Sequence, residues 1–256
     1  MIDTMQKNKL NDSTIHWVAH RGDCENHIEN TLESIQAAID NGIKLIEVDV
    51  QLTQEGLPIV FHDNSLKRMF NINTSIAKIR FEDIHQQSLQ PPNKNEKRHS
   101  HYYIPTLLEV VNLIQQHPEI TLFVEVKNIN FTAFSYQTVY KKVLDCIQPI
   151  LKQVVIIGFS YRFLRYVKNN SALPIAYVLP SWQHYSEKML INLQPEVIFS
   201  DNAIIPKNER FHTKKETWVV YEVSNLNQAL QLIEQGITYF ESFIPSQLKQ
   251  EMNNKI

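Results

Sequence analysis

The sequence predicts a single closed (β/α)8 barrel, in the α/β class, and three observations support that prediction. Short runs of β-branched and aromatic residues alternate with amphipathic segments from end to end, which is typical of βα units and a mainly parallel sheet. About eight such units in 256 residues is the size of a closed barrel. No repeat, charge block or linker-like stretch divides the chain. We therefore expect a polar extension over residues 1–15 and one barrel domain over residues 16–256.

Nine runs have the residue types and lengths of strands. Helical patterns lie between most of them, and the first repeats apolar side chains over residues 32–39. Asn30 or Thr31 is expected to cap this helix at its start, and Gly42 to follow its end. The nine runs are His16–Val18, Leu45–Val50, Pro58–His62, Thr121–Lys127, Val154–Gly158, Ile175–Leu179, Val197–Ser200, Trp218–Val223 and Thr238–Ile244.

One connection is too short for a parallel crossover. Only residues 51–57 separate Val50 from Pro58, whereas a parallel crossover needs about a dozen residues or more. The third run should therefore return antiparallel to the second barrel strand. If the turn centres on Gln54–Glu55, His62 comes back roughly opposite Glu47, and a histidine becomes the neighbour of a carboxylate.

The segment after this hairpin is the least regular part of the chain. It contains Pro91–Pro92 and a polar run over residues 93–98. We expect residues 64–104 to be an insertion over the barrel mouth, partly helical and partly mobile.

Composition excludes several classes of partner. The formal charge of -2 provides no electrostatic reason to bind nucleic acid or an anionic membrane. No apolar run approaches the roughly 20 residues of a membrane span, and residues 1–14 lack the apolar region of a signal peptide. Cys24 and Cys146 are far apart, which argues against a thiolate metal site and for a reducing compartment. We expect a cytoplasmic protein whose oligomeric state the sequence does not indicate.

Acidic side chains interrupt two of the apolar strands. Strand alternation places Glu47 and Asp49 on the inner face, about 7 Å apart, and places Glu125 and Lys127 inward together. Inward carboxylates are costly unless a cation lies between them, and three acidic oxygen donors suit a hard divalent cation. The alternative is structural: Glu47 would pair with Lys127, and Asp49 with Arg21, as salt bridges of the barrel.

Two strands end in histidine. His20 ends the first run and His62 ends the hairpin return, both facing the carboxylate cluster. Histidine titrates near neutral pH, so the two side chains suit paired acid and base catalysis. Arg21 can grip a phosphoryl oxygen, and Gly22 permits a sharp turn beside a ligand. A lone histidine at a strand end is otherwise an exposed polar cap.

In order and spacing, these motifs resemble the glycerophosphodiester phosphodiesterase family. The resemblance extends over residues 16–245, nearly the whole chain. Its amino-terminal block is far more specific than an isolated His-Arg-Gly. The motifs that carry it are His20-Arg21-Gly22, Glu29-Asn30-Thr31, Glu47-Val48-Asp49-Val50-Gln51-Leu52-Thr53, Pro58-Ile59-Val60-Phe61-His62-Asp63, Ile104-Pro105-Thr106-Leu107 and Val124-Glu125-Val126-Lys127.

That resemblance implies a TIM barrel that acts as a phosphoric diester hydrolase. The implied substrate is a small molecule, a glycerophosphodiester, cleaved to glycerol 3-phosphate and a free alcohol. One divalent cation, Mg²⁺ first and Ca²⁺ as the alternative, would orient and polarise the phosphodiester. The residues implied are Glu47, Asp49 and Glu125 for the metal, His20 and His62 for acid–base catalysis, and Arg21 and Lys127 for the phosphate.

The carboxyl-terminal half departs from the family pattern, which leaves the substrate's alcohol open. Two alternatives follow: a catalytically silent barrel that binds a phosphodiester or metal, and a lyase that releases a cyclic phosphate. The departures are Gly158-Phe159 for the usual Ser-Phe, Trp218-Val219-Val220-Tyr221 for Trp-Thr-Val-Asn, and Ser242-Phe243 for Thr-Asp before Pro245.

Overall fold

The computed structural model describes residues 15–85, 87, 89 and 102–255. Its nine strands form one sheet and lie where the sequence predicts them, within a few residues. Eight are parallel and close into a barrel, because β1 pairs with β9 on one side and β2 on the other. The predicted (β/α)8 fold is confirmed. The strands are β1 (His16–His20), β2 (Leu45–Leu52), β3 (Pro58–Val60), β4 (Thr121–Val126), β5 (Val154–Gly158), β6 (Ile175–Val178), β7 (Val197–Asp201), β8 (Thr217–Tyr221) and β9 (Tyr239–Ser242).

Helices follow most of the barrel strands and form the outer layer. Only the short 3-10 turn Asn202–Ile204 follows β7 before the chain crosses to β8. Across the described ranges, no helix combines the length and the apolar character needed to cross a bilayer. The helices are α1 (Leu32–Asp40), α2 (Lys67–Phe70), α3 (Leu107–Ile114), α4 (Tyr136–Ile147), α5 (Tyr161–Asn170), α6 (Glu187–Leu193), α7 (Leu226–Gln235) and α8 (Pro245–Asn253).

Strand alternation separates two apolar layers, one outside the barrel and one inside it. In β2, Ile46, Val48 and Val50 pack outward in a large cluster with helix residues such as Val110. Burial of such side chains contributes roughly 25 cal/mol per Å² of apolar surface. The inner layer forms the floor below the strand ends, and its buried members are Val18, Phe123, Val155, Ile157, Ala176, Val178, Phe199 and Val219.

The hairpin forms as predicted, but its register differs slightly from the expectation. β3 runs antiparallel to β2, with Leu52 opposite Pro58 and Val50 opposite Val60. The turn therefore centres on Glu55, where Gly56 has a φ of 77°, and continuing the register places His62 beside Val48 rather than Glu47. The pairing ends at Val60, which lets the chain bend and direct His62 into the barrel mouth.

Part of the insertion after β3 is folded. It contains α2 and two 3-10 turns, Ile76–Lys78 and Phe81–Asp83, so the helical part of the expectation is confirmed. These turns pack around a second apolar cluster that includes Phe61, Met69 and Tyr102. The mobile part was predicted without bounds of its own and stays a prediction. Residues 86, 88 and 90–101, which include the polar run over residues 93–98, lie outside the described residues, as do residues 1–14 of the amino-terminal extension.

Thr31 caps α1, as one of the two predicted candidates, and Gly42 follows the end of this helix with a φ of 71°. At the other end of the helix, the turn between β1 and α1 requires glycine at position 22. Gly22 has a φ of 87°, and a Cβ added there would lie 2.6 Å from the backbone carbonyl carbon of Ser34. A Cβ on Gly42 would meet only the flexible end of Lys249, at 3.4 Å.

Gly22→Ala is therefore expected to lower the free energy of unfolding by about 2–4 kcal/mol, through left-handed backbone strain plus overpacking. Gly42→Ala, the matched control, should lower it by about 1–2 kcal/mol, because only the backbone strain applies. Urea unfolding of both variants measures the difference. Equal losses would show that the close approach to Ser34 relaxes at little cost.

Candidate active site

The carboxyl ends of the barrel strands bring the predicted residues into one place. Parallel pairing sets His20 beside Glu47, and Asp49 beside Glu125. The enclosed pocket at this end has a volume of about 110 Å³. Its lining residues are His20, Arg21, Glu47, His62, Glu125, Lys127, Ile157, Phe159, Val178, Phe199, Tyr221 and Glu241.

Three predicted carboxylates form a compact buried cluster. One oxygen each of Glu47, Asp49 and Glu125 lies within 4.8 Å of the others. All three residues are buried, at 2%, 1% and 8% exposure. Oxygen donors at this spacing suit a hard divalent cation.

The structural alternative for these carboxylates is half right. Arg21 Nε lies 3.0 Å from Asp49 Oδ2, as that alternative requires. Lys127 Nζ does not pair with Glu47; it lies 3.1 Å from Asp49 Oδ1 and 2.9 Å from Glu125 Oε1. Glu47 Oε2 accepts only a backbone N–H, from Arg21 at 3.2 Å, and Glu47 Oε1 has no hydrogen-bond partner among the described residues.

The surroundings of Asp49 and Glu47 shift the pKa values of the two carboxyl groups in opposite directions. Burial raises the pKa of both carboxyl groups, but the charges of Arg21 and Lys127 outweigh it at Asp49, whose pKa falls well below its usual range. At Glu47, burial and the neighbouring carboxylates of Asp49 and Glu241 raise the pKa well above its usual range. A bound cation would favour the charged form of Glu47.

His20 is held by two contacts. Its Nδ1 lies 2.6 Å from Glu222 Oε2, and its ring stacks on Phe243 with centroids 4.3 Å apart. Glu222 Oε1 in turn accepts the backbone N–H of Phe243 at 2.9 Å. Burial lowers the pKa of His20, and the hydrogen bond to Glu222 partly offsets that effect. This arrangement leaves Nε2 as the ring nitrogen available to a ligand.

His62 is held by a polar network at the entrance. Its Nδ1 lies 2.9 Å from Asp63 Oδ1. Arg68 in α2 donates two hydrogen bonds to Asp63 and two to Glu29, at 2.6–2.9 Å. Glu29 also accepts from Arg21 Nη1 at 2.8 Å. The network joins the loops after β1 and β3, so that both predicted histidines face the same pocket.

Asn30 has a role that its predicted capping function does not describe. Its side chain donates from Nδ2 to Asp49 Oδ2 at 2.8 Å and accepts the Asp49 backbone N–H at 3.2 Å. Its backbone is left-handed, with a φ of 57°. This two-point contact fixes the Asp49 carboxylate.

A second cavity adjoins the pocket and opens to solvent. It has a volume of about 820 Å³ and shares His62, Glu125, Lys127 and Phe159 with the pocket. Its outer wall includes Lys67 and polar side chains of the loops after β3 and β4. It is large enough to hold a substituent that extends from the pocket.

Sequence reasoning missed two acidic residues of the site, Glu241 in the pocket lining and Glu222 beside His20. Glu241 interrupts the apolar run of β9, just as Glu47 interrupts that of β2. The pattern that identified Glu47 could therefore have identified Glu241 as well. Glu241 is 3% exposed and lies in register with Val18 of β1. Glu222 follows β8 without any pattern of its own, and only closure of the barrel brings it to His20.

Comparison with known proteins agrees with this geometry. The model of the glycerophosphoryl diester phosphodiesterase family matches residues 20–240. Human glycerophosphodiester phosphodiesterase 1 is 34% identical over 115 residues, 44% of this chain and 34% of its own length. The Caldanaerobacter subterraneus glycerophosphodiester phosphodiesterase is 31% identical over 153 residues, 59% of this chain and 60% of its own. The matches thus span about a third to three fifths of these relatives' lengths.

Solved structures share the whole fold. A phosphodiesterase of Oleispira antarctica, in complex with the product sn-glycerol-3-phosphate, has a TM-score of 0.79 at 22% identity, over 94% of this chain and 98% of that one. A glycerophosphodiester phosphodiesterase of Thermotoga maritima has a TM-score of 0.71 at 18% identity, over 93% and 98%. The barrel, the pocket at its strand ends and the family match lead to one conclusion: the chain belongs to the glycerophosphoryl diester phosphodiesterase family.

Proposed function

We propose that this protein is a metal-dependent hydrolase that cleaves glycerophosphodiesters to glycerol 3-phosphate and an alcohol. The observation that carries the proposal is a buried cluster of three carboxylates with histidines from two other strand ends in the same pocket. Relatives named glycerophosphodiester phosphodiesterase support the substrate class. Mg²⁺ is the first candidate cation and Ca²⁺ the second.

The donor set fits a divalent cation. Glu47, Asp49 and Glu125 would hold it, since they offer oxygen ligands from two adjacent strands within 4.8 Å. The Glu47 Oε1 atom is buried and has no hydrogen bond to any described residue, a costly arrangement unless a cation compensates it. When bound, the cation would polarise the phosphodiester and stabilise negative charge on its oxygens.

His20 and His62 are proposed as the acid–base pair, with Arg21 and Lys127 beside the phosphate. His20 presents Nε2 to the pocket because Glu222 holds Nδ1, and His62 approaches from the hairpin side. One imidazole would take the proton of the attacking hydroxyl of the substrate's glycerol, and the other would donate a proton to the alcohol oxygen as its bond to phosphorus breaks. Water would then open the cyclic phosphate so formed, giving glycerol 3-phosphate. The charges of Arg21 and Lys127 would orient the phosphoryl oxygens.

The adjoining cavity supports a place for the alcohol. It opens from His62, Glu125 and Lys127 to solvent, so a leaving alcohol of variable size could extend through it. We propose that residues 16–256 form one domain, and that the start of the insertion, Asn64 to Arg68, forms one side of this opening. A reducing, cytoplasmic location is also proposed, supported by Cys24 and Cys146 being free thiols.

The test is release of glycerol 3-phosphate from glycerophosphocholine and glycerophosphoethanolamine, with EDTA, Mg²⁺ or Ca²⁺ added. We expect no release in EDTA and restored turnover with one ion. Phosphorus NMR of the same reaction identifies the product, because a cyclic phosphate that persists would indicate a lyase. Metal binding without turnover of any diester would indicate the silent barrel.

Glu222→Gln is expected to lower the rate about 10–100-fold, the usual effect of losing a supporting contact to a site histidine. The Glu222 carboxylate raises the pKa of His20, so its removal should shift the limb of the pH–rate profile that belongs to His20 to lower pH. Glu222→Asp, which retains the charge, should recover part of the shift. An unchanged profile in Glu222→Gln would assign Glu222 a purely structural role.

A further inference from the structure

Two buried carboxylates of the pocket, Glu47 and Glu241, form no salt bridge with any described cationic side chain. The nearby cationic side chains, Arg21 and Lys127, make their salt bridges to other carboxylates. Over the described part of the chain, no salt bridge reaches Glu47 or Glu241. Glu47 Oε1 and Glu241 Oε1 are both buried without a hydrogen bond there. Two such groups are expensive to bury side by side unless something positive lies between them.

The third side chain beside them is His20. Ligand atoms of His20, Glu47 and Glu241 all lie within 4.8 Å of one another. They converge because β1 lies between β2 and β9, with His20 in register with Glu47 and Val18 in register with Glu241. Each of three adjacent strands thus contributes one donor.

The surroundings of His20 are those of a metal-binding imidazole. Metal-bound histidines usually donate their other ring N–H to a carboxylate, which fixes the tautomer. Here Nδ1 lies 2.6 Å from Glu222 Oε2, so Nε2 remains for a ligand. Phe243 stacks on the ring and holds its plane.

We propose that His20, Glu47 and Glu241 form a second divalent-cation subsite, which shares Glu47 with the Glu47–Asp49–Glu125 set. One imidazole nitrogen with two carboxylates favours Zn²⁺ or Mn²⁺ over Ca²⁺, because imidazole suits transition-series ions. The subsite and the three-carboxylate cluster therefore differ in the kind of ion they select.

Occupation of this subsite would inhibit the reaction. A cation on His20 Nε2 takes the lone pair that accepts a proton, so the imidazole can no longer act as acid or base. This consequence rests on the proposed function, whereas the binding of the ion does not. Zn²⁺ alone should therefore support little turnover, and Zn²⁺ added to the Mg²⁺-loaded protein should lower its rate.

The binding test is equilibrium dialysis of the tag-free full chain against Zn²⁺, with the metal counted by mass spectrometry. We expect the unmodified protein to bind one Zn²⁺ per chain more than Glu241→Gln. Glu119→Gln, an exposed change just before β4 at the opposite end of the barrel, should bind as many Zn²⁺ as the unmodified protein. Equal zinc counts in the unmodified protein and Glu241→Gln would overturn the proposal.

A second measurement needs no variant. Crystals of the unmodified protein soaked in Zn²⁺ should show an anomalous peak bonded to His20 Nε2 and to carboxylate oxygens of Glu47 and Glu241. Absence of that peak at full occupancy of the neighbouring set would overturn the proposal even if Glu241→Gln failed to fold.

The kinetic test uses saturating Mg²⁺ and increasing Zn²⁺. The Zn²⁺ concentration that half-inhibits Glu241→Gln should be at least about tenfold higher than the concentration that half-inhibits the unmodified protein. Loss of a residue that only supports a metal ligand typically weakens binding by about tenfold or more, and loss of a ligand itself should weaken binding at least as much. Equal sensitivity would refute the inhibitory role. If the unmodified protein shows no turnover with any ion, the proposed function fails, and the zinc count still decides the subsite.

Discussion

Glu47→Gln is expected to lower the turnover of a glycerophosphodiester by at least about 10³-fold and to weaken divalent-cation binding. A cation that polarises a phosphoryl group contributes several kcal/mol to transition-state stabilisation, and each 1.36 kcal/mol is a factor of ten. Glu47 offers an oxygen to the predicted three-carboxylate cluster and has no salt bridge of its own among the described residues. Glycerol 3-phosphate release measures the rate, and titration calorimetry measures Mg²⁺ affinity.

The same change should leave the fold intact. Glutamine has nearly the shape of glutamate, and it removes a carboxyl group whose pKa is raised by burial and by neighbouring carboxylates. The thermal midpoint without metal should therefore stay the same or rise. Glu119→Gln, at the other end of the barrel, is the control and should change neither rate nor affinity. Near-normal activity of Glu47→Gln would remove Glu47 from the proposed ligands.

His62→Ala is expected to lower the rate by about 10²–10⁴-fold, the usual contribution of one acid–base group, while Mg²⁺ affinity stays near normal. The reason is geometric: His62 lines the pocket from the hairpin, and the three carboxylates come from β2 and β4. Rate and calorimetric affinity together separate the loss of a proton carrier from the loss of a ligand.

His117→Ala is the matched control for that change. His117 lies just before β4, at the amino-terminal end of the barrel strands, so its loss should leave the rate unchanged. A fall in Mg²⁺ affinity in His62→Ala would show that His62 supports the ion instead. A rate within threefold of normal would remove it from the acid–base pair.

The two cationic side chains of the site already form salt bridges with carboxylates of the protein. Arg21 contacts Asp49 and Glu29, and Lys127 contacts Asp49 and Glu125. A cation on the carboxylates would weaken these contacts and make the two side chains more available to a phosphate. Under the proposed function, this exchange of partners would allow residues that form structural salt bridges to bind a substrate as well.

The sequence alone was enough to predict the barrel fold and the inward orientation of the three carboxylates of β2 and β4. Strand and helix patterns alternate in the chain itself, and period-2 alternation in β2 and β4 sends Glu47, Asp49 and Glu125 inward whatever the rest of the chain does. The antiparallel hairpin was also predictable from a short segment, because a connection of seven residues, 51–57, is too short for a parallel crossover. These properties depend on a few consecutive residues, so they can be predicted from them.

Only the tertiary structure decided which side chains meet across the closed barrel. Glu222 and Glu241 reach His20 because β1 closes on β9, next to β8, a contact between residues about 200 positions apart in the chain. The bend that directs His62 inward likewise depends on pairing that stops at Val60. The sequence does not encode such contacts in any short pattern, because strand neighbours and register are set by packing of the whole barrel.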